Sequence, residues 1–219
     1  MGLLDIIGPV MVGPSSSHTA GAARIGMVGR RLLGEEVVEA HVLLHGSFAA
    51  TGVGHGTDRA IAAGLMGMTP DDGRLPDALE LARAAGVRVT FERGDLGRVH
   101  PNSARIALRG ETSRVEFEAA SVGGGQILLQ SVDGLEVGIA FGFPTLLTEH
   151  DDTVGRIAQV ADVLARFEVN VAFMRVAREG RGQRAIMIVE CDDPVAEEAL
   201  AQIRRQPGFR RVCYFPPAD

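Results

Sequence analysis

The sequence of 219 residues contains no lysine and no tryptophan, one tyrosine and two cysteines. All 22 basic side chains are therefore arginines, and the 28 acidic ones give a net charge of −6. Pyridoxal phosphate enzymes need a lysine amine for the Schiff base, and Walker-type phosphate loops need the lysine of Gly-Lys-Ser/Thr, so the composition excludes both classes. An acidic chain with 5% aromatic residues also lacks the positive field and the stacking platforms of nucleic-acid binders.

The sequence has few residues suited to a metal centre and no stretch suited to a membrane span. The two cysteines, Cys191 and Cys213, are too few for a four-thiolate zinc or iron–sulfur site and form no C-x-x-C pair. Separated cysteines of this kind are typical of small buried apolar residues, so any cluster in this system needs thiolates from elsewhere. No apolar stretch approaches the roughly 18 residues of a membrane span, and no basic region precedes a hydrophobic one at the start. We therefore expect a cytoplasmic protein.

The first third of the chain predicts helices, a strand and glycine-rich loops. A Gly/Ser-rich opening at residues 8–19 precedes apolar residues with helical spacing, and Gly34 lies where that helix should stop. Alternating apolar residues at 38–44 predict a strand. Residues 46–56 contain four glycines, which predicts a loop up to Thr57. Short helices at 58–65 and 77–85 and a strand at 87–91 are expected to follow.

The rest of the chain changes character twice. Beyond residue 103, runs of alternating apolar residues separated by turn signals predict an antiparallel meander. After Pro144 the pattern has the order βαββαβ, the ferredoxin-like arrangement, with Asp193 and Pro194 expected to begin its second helix. The sequence thus predicts an α+β fold, with a mixed α/β domain at residues 1–144 and a second domain at residues 146–219.

The segment GPSSSHT at residues 13–19 is the most informative one for chemistry. Three adjacent serines exceed what helix capping requires, and the free amides of a helix's first turn attract anions, so a substrate carboxylate would suit this position. His18 would feel the positive end of the helix dipole, which favours a neutral ring able to act as a general base. The alternative is a polar loop that only caps the helix. A hydrolase triad is disfavoured because no Gly-x-Ser-x-Gly elbow is present.

A second set of polar residues lies in GVGHGTD at residues 52–58. Glycines beside His55 let the backbone approach a ligand, although glycines also simply form loops. Thr57 stands where a dinucleotide fingerprint needs its third glycine. His100 precedes Pro101 and Asn102 and is a third candidate. Structural or surface roles are expected for the other histidines, His41, His45 and His150.

These segments together resemble a known family. Residues 8–26, which include GPSSSHTAGAARIG, residues 45–58 and the HPN of residues 100–102 are similar to the β chain of the bacterial two-subunit, iron–sulfur L-serine dehydratase. The C-terminal segment resembles an ACT domain, with DDTVG at residues 151–155 in the loop where that family binds small amino acids. The chain departs from the family at Val53, where lysine is frequent, and at Ser103, where threonine is usual. The first departure removes a cation.

The resemblance implies a subunit of an enzyme that converts L-serine, through aminoacrylate, to pyruvate and ammonia. It implies a 4Fe–4S cluster that is ligated by a separate α chain, binds the serine hydroxyl at an open iron and replaces pyridoxal phosphate; this chain would hold no metal. The implied partners are the α chain, L-serine as substrate and effector, and a second copy bound through the ACT domain.

The resemblance also assigns roles to individual residues. His18 or His55 would be the base, with His18 favoured for its position at a helix end. Asp58 would either partner the substrate amine or cap a helix. The substrate-binding residues would be Ser15, Ser16, Ser17, Thr19, Thr57, Asp58 and Asn102. The effector-binding residues would be Asp151, Asp152, Val154 and Gly155.

Two other functions are compatible with the sequence. The N-terminal domain also resembles the allosteric substrate-binding domain of some phosphoglycerate dehydrogenases, so the chain could be an amino-acid sensor in which His18 does no chemistry. It could also be an assembly subunit that only holds the α chain.

Overall fold

The computed structural model describes residues 10–217, apart from the side chain of Val53. Gly8 and Pro9 of the predicted opening loop lie outside this range, and the predicted loss of a cation at Val53 concerns a side chain that is not described. The chain forms two compact units. The N-terminal unit runs to residue 134 and includes residues 138–140; the C-terminal unit contains residues 135–137 and everything from residue 141 onward. Within residues 10–217, no helix combines the length and the apolar character that crossing a bilayer requires.

The N-terminal unit begins with a π-helical turn, Ser16–Gly21, that continues directly into helix α1 (Ala22–Leu33). The hydroxyl of Ser15 caps the turn by accepting a hydrogen bond from the amide of His18 at 3.2 Å. Helix α1 ends at Gly34, whose φ of 76° is readily available only to glycine. The serine cap and the glycine stop were both predicted. The predicted loop is wrong for residues 16–19, which already lie in the helical turn.

Helix α2 (Gly46–His55) corrects the prediction of a loop at residues 46–56. Tertiary packing outweighs the poor helix propensity of glycine here, because Phe48 on this helix is completely buried. Gly46 is itself required: its φ is 54°, and a Cβ would lie 2.6 Å from the carbonyl oxygen of Pro101. Gly56, with φ 70°, ends α2 and allows helix α3 (Thr57–Leu65) to begin at once.

A six-stranded mixed sheet with the order β2-β1-β3-β4-β5-β6 underlies the helices. The central strand β1 pairs in parallel with β2 and antiparallel with β3. Strands β3 to β6 are the predicted meander, and the turn Leu75–Asp77 with helix α4 (Ala78–Ala84) precedes β2. The strands are β1 (Glu39–Leu44), β2 (Arg88–Arg93), β3 (Ser103–Arg109), β4 (Arg114–Gly123), β5 (Gln126–Val132) and β6 (Leu135–Ile139).

Helices α1 and α3 cross with their backbones in direct contact. A Cβ added to Gly26 would lie 2.3 Å from the carbonyl oxygen of Ile61, and one added to Gly64 would lie 2.0 Å from that of Ala23. Both distances are far shorter than any carbon–oxygen contact between non-bonded atoms. Glycine on each helix is therefore what allows the approach.

The C-terminal unit has the predicted βαββαβ order, and its antiparallel sheet has the strand order β10-β7-β9-β8. One detail of the prediction is wrong: the second helix begins at Glu197, not at Asp193. Ala196 is extended (ψ 147°), and the preceding Val195 lies in the core with 5% exposure, so these residues enter the unit as extended chain. The elements are β7 (Thr145–Asp151), α5 (Arg156–Arg166), β8 (Val171–Arg178), β9 (Arg184–Cys191), α6 (Glu197–Arg204) and β10 (Phe209–Phe215).

Both cysteines are buried in this unit, as predicted, and neither forms a disulfide bond within residues 10–217. Burial raises the pKa of Cys191 to about 11 and that of Cys213 to about 12. Since the thiolate is the form that binds metals, neither side chain is prepared to ligate one at neutral pH.

Candidate functional site

The imidazole of His18 lies between the π-helical turn and helix α2. Its Nε2 is 3.2 Å from the hydroxyl of Ser47 and 3.1 Å from that of Thr51, and its Nδ1 is 3.4 Å from the hydroxyl of Ser15. The ring also lies edge-on to Phe48, with centroids 5.2 Å apart. His18 is thus a largely buried histidine (9% exposed), and each of its two ring nitrogens lies close to at least one hydroxyl.

His55, at the last position of α2, brings a second imidazole to the same place. The ring centroids of His18 and His55 are 5.0 Å apart, so the structure brings together the two histidines that the sequence singled out. Unlike His18, His55 is exposed. We call Ser15, His18, Ser47, Thr51 and His55 the His18 cluster.

The electrostatics of the His18 cluster favour a neutral His18. Burial lowers the pKa of His18 below 6.5, the charge of His55 lowers this pKa further, and the backbone of Ser47 partly opposes both. A neutral ring is what the sequence predicted, but from a different cause, since burial and the neighbouring imidazole take the place of the helix dipole. At neutral pH His18 therefore has a lone pair available to accept a proton.

The lowered pKa predicts that the protein loses stability as the pH falls. Above pH 6.5 His18 is neutral in both states; between 6.5 and its lowered folded pKa, the unfolded chain binds the proton more tightly, so the free energy of unfolding decreases as the pH falls. Urea unfolding between pH 7.5 and 5 should show this slope in the wild type and a shallower one in His18→Gln. Carboxylates with a lowered pKa, such as Asp72 at about 2, change the free energy of unfolding only at lower pH, so they do not contribute to the slope in this range. Equal slopes in the two proteins would contradict the prediction.

The other substrate-binding candidates differ in their surroundings. Thr19 and Thr57 are buried, and the hydroxyl of each has no hydrogen-bond partner among residues 10–217. Buried polar groups without partners are uncommon and are often explained by a ligand or water. The side chain of Thr57 lies against α2, because a Cβ added to Gly52 would be 3.3 Å from the Cβ of Thr57. Ser16 and Ser17 are half-buried in the π-helical turn.

The segment at residues 100–102 joins the beginning of α2. The carbonyl of Pro101 accepts a hydrogen bond from the amide of Ser47 at 2.8 Å. The amide of Asn102 donates to Nδ1 of His100 at 3.1 Å, while the buried Oδ1 of Asn102 has no partner in the described part of the chain. Asn102 thus lies at the end of the sheet where α2 begins, with an unused acceptor.

Asp58 and the remaining histidines have local contacts. The carboxylate of Asp58 accepts a hydrogen bond from the amide of Arg59 within the first turn of α3; the N-cap of this helix is Gly56, and no side chain among the described residues caps it. His41 lies 3.3 Å from the carboxylate of Glu92. Nδ1 of His45 accepts a hydrogen bond from the amide of Leu96, and Nδ1 of His150 contacts the carbonyl of Asp151.

Sequence reasoning missed Ser47 and Thr51, although a usable signal was present. With His55 they form an i, i+4, i+8 series, which places all three on one face of a helix. The series has that meaning only if residues 46–55 are helical, and their glycines predicted a loop.

The effector-binding candidates form the turn between β7 and α5. Asp151 pairs with Arg210, and Asp152 accepts hydrogen bonds from Arg178 at 3.0 Å and from the amide of Gly182 at 3.4 Å. Val154 is fully exposed, and Gly155, with φ 95°, immediately precedes α5. The two carboxylates therefore hold the turn in place, while the side chain of Val154 is exposed.

The described residues do not fit an iron–sulfur cluster. Among residues 10–217, no three His, Cys, Asp or Glu side chains are grouped so that they could hold a metal ion. Both thiols are buried with raised pKa values. This part of the chain offers hydroxyls and imidazoles to a substrate, and no ligand set to a cluster.

Comparison with known proteins identifies relatives along the whole chain. Residues 3–85 match the family model "Serine dehydratase beta chain", and residues 145–208 match that of the ACT domain. The chain is 44% identical over 210 residues to the "Probable L-serine dehydratase, beta chain" of Bacillus subtilis, and 35% identical over 212 residues to the "L-serine dehydratase, beta chain" of Peptoniphilus asaccharolyticus, covering 96% of each chain in both cases. It is also 28% identical to the D-3-phosphoglycerate dehydrogenase of Synechocystis over 129 residues, 59% of this chain and 23% of that protein.

Proposed function

Because the chain belongs to the family of L-serine dehydratase beta chains, we propose that it is the β subunit of an enzyme that converts L-serine to pyruvate and ammonia, and that the His18 cluster forms its part of the active site. The observation that carries the second part is the neutral, buried imidazole of His18 beside a hydroxyl-rich helix start. A general base and a turn that binds the carboxylate are two of the elements that elimination from an amino acid requires; activation of the leaving hydroxyl is a third.

The π-helical turn binds and orients the substrate. The first turn of a helix leaves amides without intrahelical partners, and Ser16 and Ser17 add hydroxyl donors, so the carboxylate of serine is held here. Thr19, Thr57 and Asn102 contribute buried oxygen atoms that have no hydrogen-bond partner within residues 10–217, and such atoms are suited to the polar groups of a small amino acid.

His18 then accepts the proton from Cα of serine. The electron pair of the broken C–H bond forms the Cα=Cβ double bond as the hydroxyl leaves Cβ as hydroxide. The proton that His18 accepted ends on this hydroxide, so the products are aminoacrylate and water. Tautomerisation and hydrolysis of aminoacrylate consume that water and release pyruvate and ammonia. The charge of His55 disfavours a charged His18 before the reaction.

A 4Fe–4S cluster on a separate α chain completes the active site in this proposal. Such a cluster supplies a Lewis acid when its iron has an open position. Assignment of the cluster to the α chain rests on the absence of a ligand set among residues 10–217. Thr51 and His55 are exposed on α2, where the α chain would cover them. We place the pair in the cytoplasm.

Reconstitution tests the proposed function. The α chain and this chain, each purified alone, should form pyruvate from L-serine no faster than buffer, and the mixed pair should turn the substrate over. If the α chain alone is fully active and this chain changes only its response to serine, the chain is a sensor, which its similarity to D-3-phosphoglycerate dehydrogenase would favour. If the pair is active but substitutions throughout the His18 cluster have no effect, the chain serves only in assembly.

We also propose that the C-terminal unit binds L-serine at residues 151–155 and pairs with a second copy. Exposed apolar side chains support a pairing surface: Val154, Ile157 and Phe173 are each more than half exposed. In a Ser15→Ala, Ser16→Ala, Ser17→Ala background, calorimetric titration of the full chain with millimolar L-serine should still give heat, and Gly155→Val should abolish it because valine rarely adopts φ 95°. No heat in that background would remove the effector role.

A further inference from the structure

Two hydroxyls on consecutive turns of α2 contact the same nitrogen of His18. Ser47 and Thr51 lie 3.2 and 3.1 Å from Nε2, and no step of the proposed reaction uses either side chain. The geometry favours one position for the proton of Thr51. Its hydroxyl lies 2.9 Å from the carbonyl oxygen of Ser47, which can only accept; when Thr51 donates to this carbonyl, its single proton points away from His18.

The location of that proton determines which nitrogen of His18 carries hydrogen. With its proton committed to the Ser47 carbonyl, Thr51 presents a lone pair to Nε2 at 3.1 Å. If Nε2 also carried a lone pair, the two lone pairs would repel each other. If Nε2 carries a hydrogen, it donates this hydrogen to the Thr51 oxygen and shares it with the Ser47 hydroxyl. The favoured neutral tautomer therefore has its hydrogen on Nε2.

The opposite side of the ring gives the same result. The hydroxyl oxygen of Ser15 already accepts a hydrogen bond from the amide of His18 at 3.2 Å. Its own proton can be donated to Nδ1, 3.4 Å away, when Nδ1 carries a lone pair, as it does in the tautomer with hydrogen on Nε2. Nδ1 thus faces the turn in which the carboxylate is held, and Nε2 faces α2.

We propose that Ser47 and Thr51 are positioning residues that fix the Nε2–H tautomer of His18, so that Nδ1 is the atom that receives the proton. This inference rests on the proposed function for its chemical meaning, but the tautomer is a property of the free chain. On protonation, Nδ1 gains the hydrogen, Nε2 keeps its own, and the resulting imidazolium donates to both sides. Ser15 then accepts from Nδ1, while Thr51 continues to accept from Nε2.

The test combines a spectroscopic signature with kinetics. In the free wild-type chain near neutral pH, long-range 1H–15N correlation of the His18 ring should show a protonated Nε2 and an unprotonated Nδ1. Thr51→Val should shift the population toward Nδ1–H. In the α–β pair it should lower kcat about 10- to 100-fold with KM unchanged, a loss of the size seen when the partner that orients a metal-ligating histidine is removed. Thr51→Ser, which retains the hydroxyl, should restore both the tautomer and kcat.

Thr90→Val is the matched control. The hydroxyl of Thr90 also donates to a backbone carbonyl, that of Ala40 at 3.3 Å, but it lies on β2 away from His18. This variant should leave the His18 spectrum and kcat unchanged. An Nδ1–H tautomer in the wild type, or a Thr51→Val pair with unchanged kcat, overturns the inference. If the pair does not deaminate serine at all, the proposed function fails, and the spectrum of the free chain still decides the tautomer.

Discussion

Replacing His18 by glutamine should lower kcat of the α–β pair by about 10³-fold, since positioned general bases contribute about 10² to 10⁴ in rate. Glutamine fills much of the space of the ring and can contact Ser47 and Thr51, but it accepts no proton near neutral pH. The shift of the His18 pKa below 6.5 keeps the wild-type ring unprotonated and therefore able to accept a proton, and glutamine has no such group. Coupled measurement of pyruvate from L-serine checks the prediction.

His41→Gln is the control for this experiment. His41 lies on β1 beside Glu92 and has no contact with the His18 cluster, so its loss should leave kcat unchanged. Circular dichroism and co-purification with the α chain establish that each variant is folded and assembled. A folded, assembled His18→Gln pair with more than a tenth of wild-type kcat would show that another group is the base, and His55 would be the next residue to test.

Replacing Gly64 by alanine should destabilise the protein by about 3 kcal/mol, at the upper end of what overpacking costs. The added Cβ would lie 2.0 Å from the carbonyl oxygen of Ala23 and 2.7 Å from the amide nitrogen of Met27. Both are backbone atoms of α1, so no rotamer change relieves the contact and the helices must separate. The midpoint of urea unfolding, compared at constant m-value, measures the effect.

Gly54→Ala provides a comparison within another helix. Gly54 lies inside α2, has no positive φ, and a Cβ there would have no neighbour within 4 Å. The substitution should therefore stabilise the protein by up to about 1 kcal/mol through helix propensity alone. If Gly64→Ala leaves the free energy of unfolding unchanged or raises it, as Gly54→Ala should, the close crossing of α1 and α3 does not exist as described.

Much of the fold could be predicted because its local signals agree. The apolar alternation of β1, the glycine stop at Gly34 and the βαββαβ order all follow from patterns that tertiary structure does not override. Helix α2 could not be predicted from its own residues. Its stability comes from the burial of Phe48 and from the bond between the amide of Ser47 and the carbonyl of Pro101, both of which depend on residues distant in the sequence.

The site was predictable residue by residue but not as an arrangement. His18 and His55 stand out in the sequence because each lies among small residues that have no structural need of an imidazole. Their 5.0 Å separation, and the burial that keeps His18 neutral, depend on the packing of α2 against the π-helical turn. Ser47 and Thr51 gain their role only from that packing, so composition and spacing alone do not reveal it.

The glycine contacts between α1 and α3 have a consequence for the two imidazoles. The close backbone contacts fix the position of α1, which continues directly from the turn that holds His18, relative to α3, whereas His55 is the last residue of α2. Gly56 is the only residue between α2 and α3, and its φ is 70°. The backbone conformation of this one glycine therefore sets the direction in which α2 meets α3, and with it the place of the His55 ring relative to that of His18.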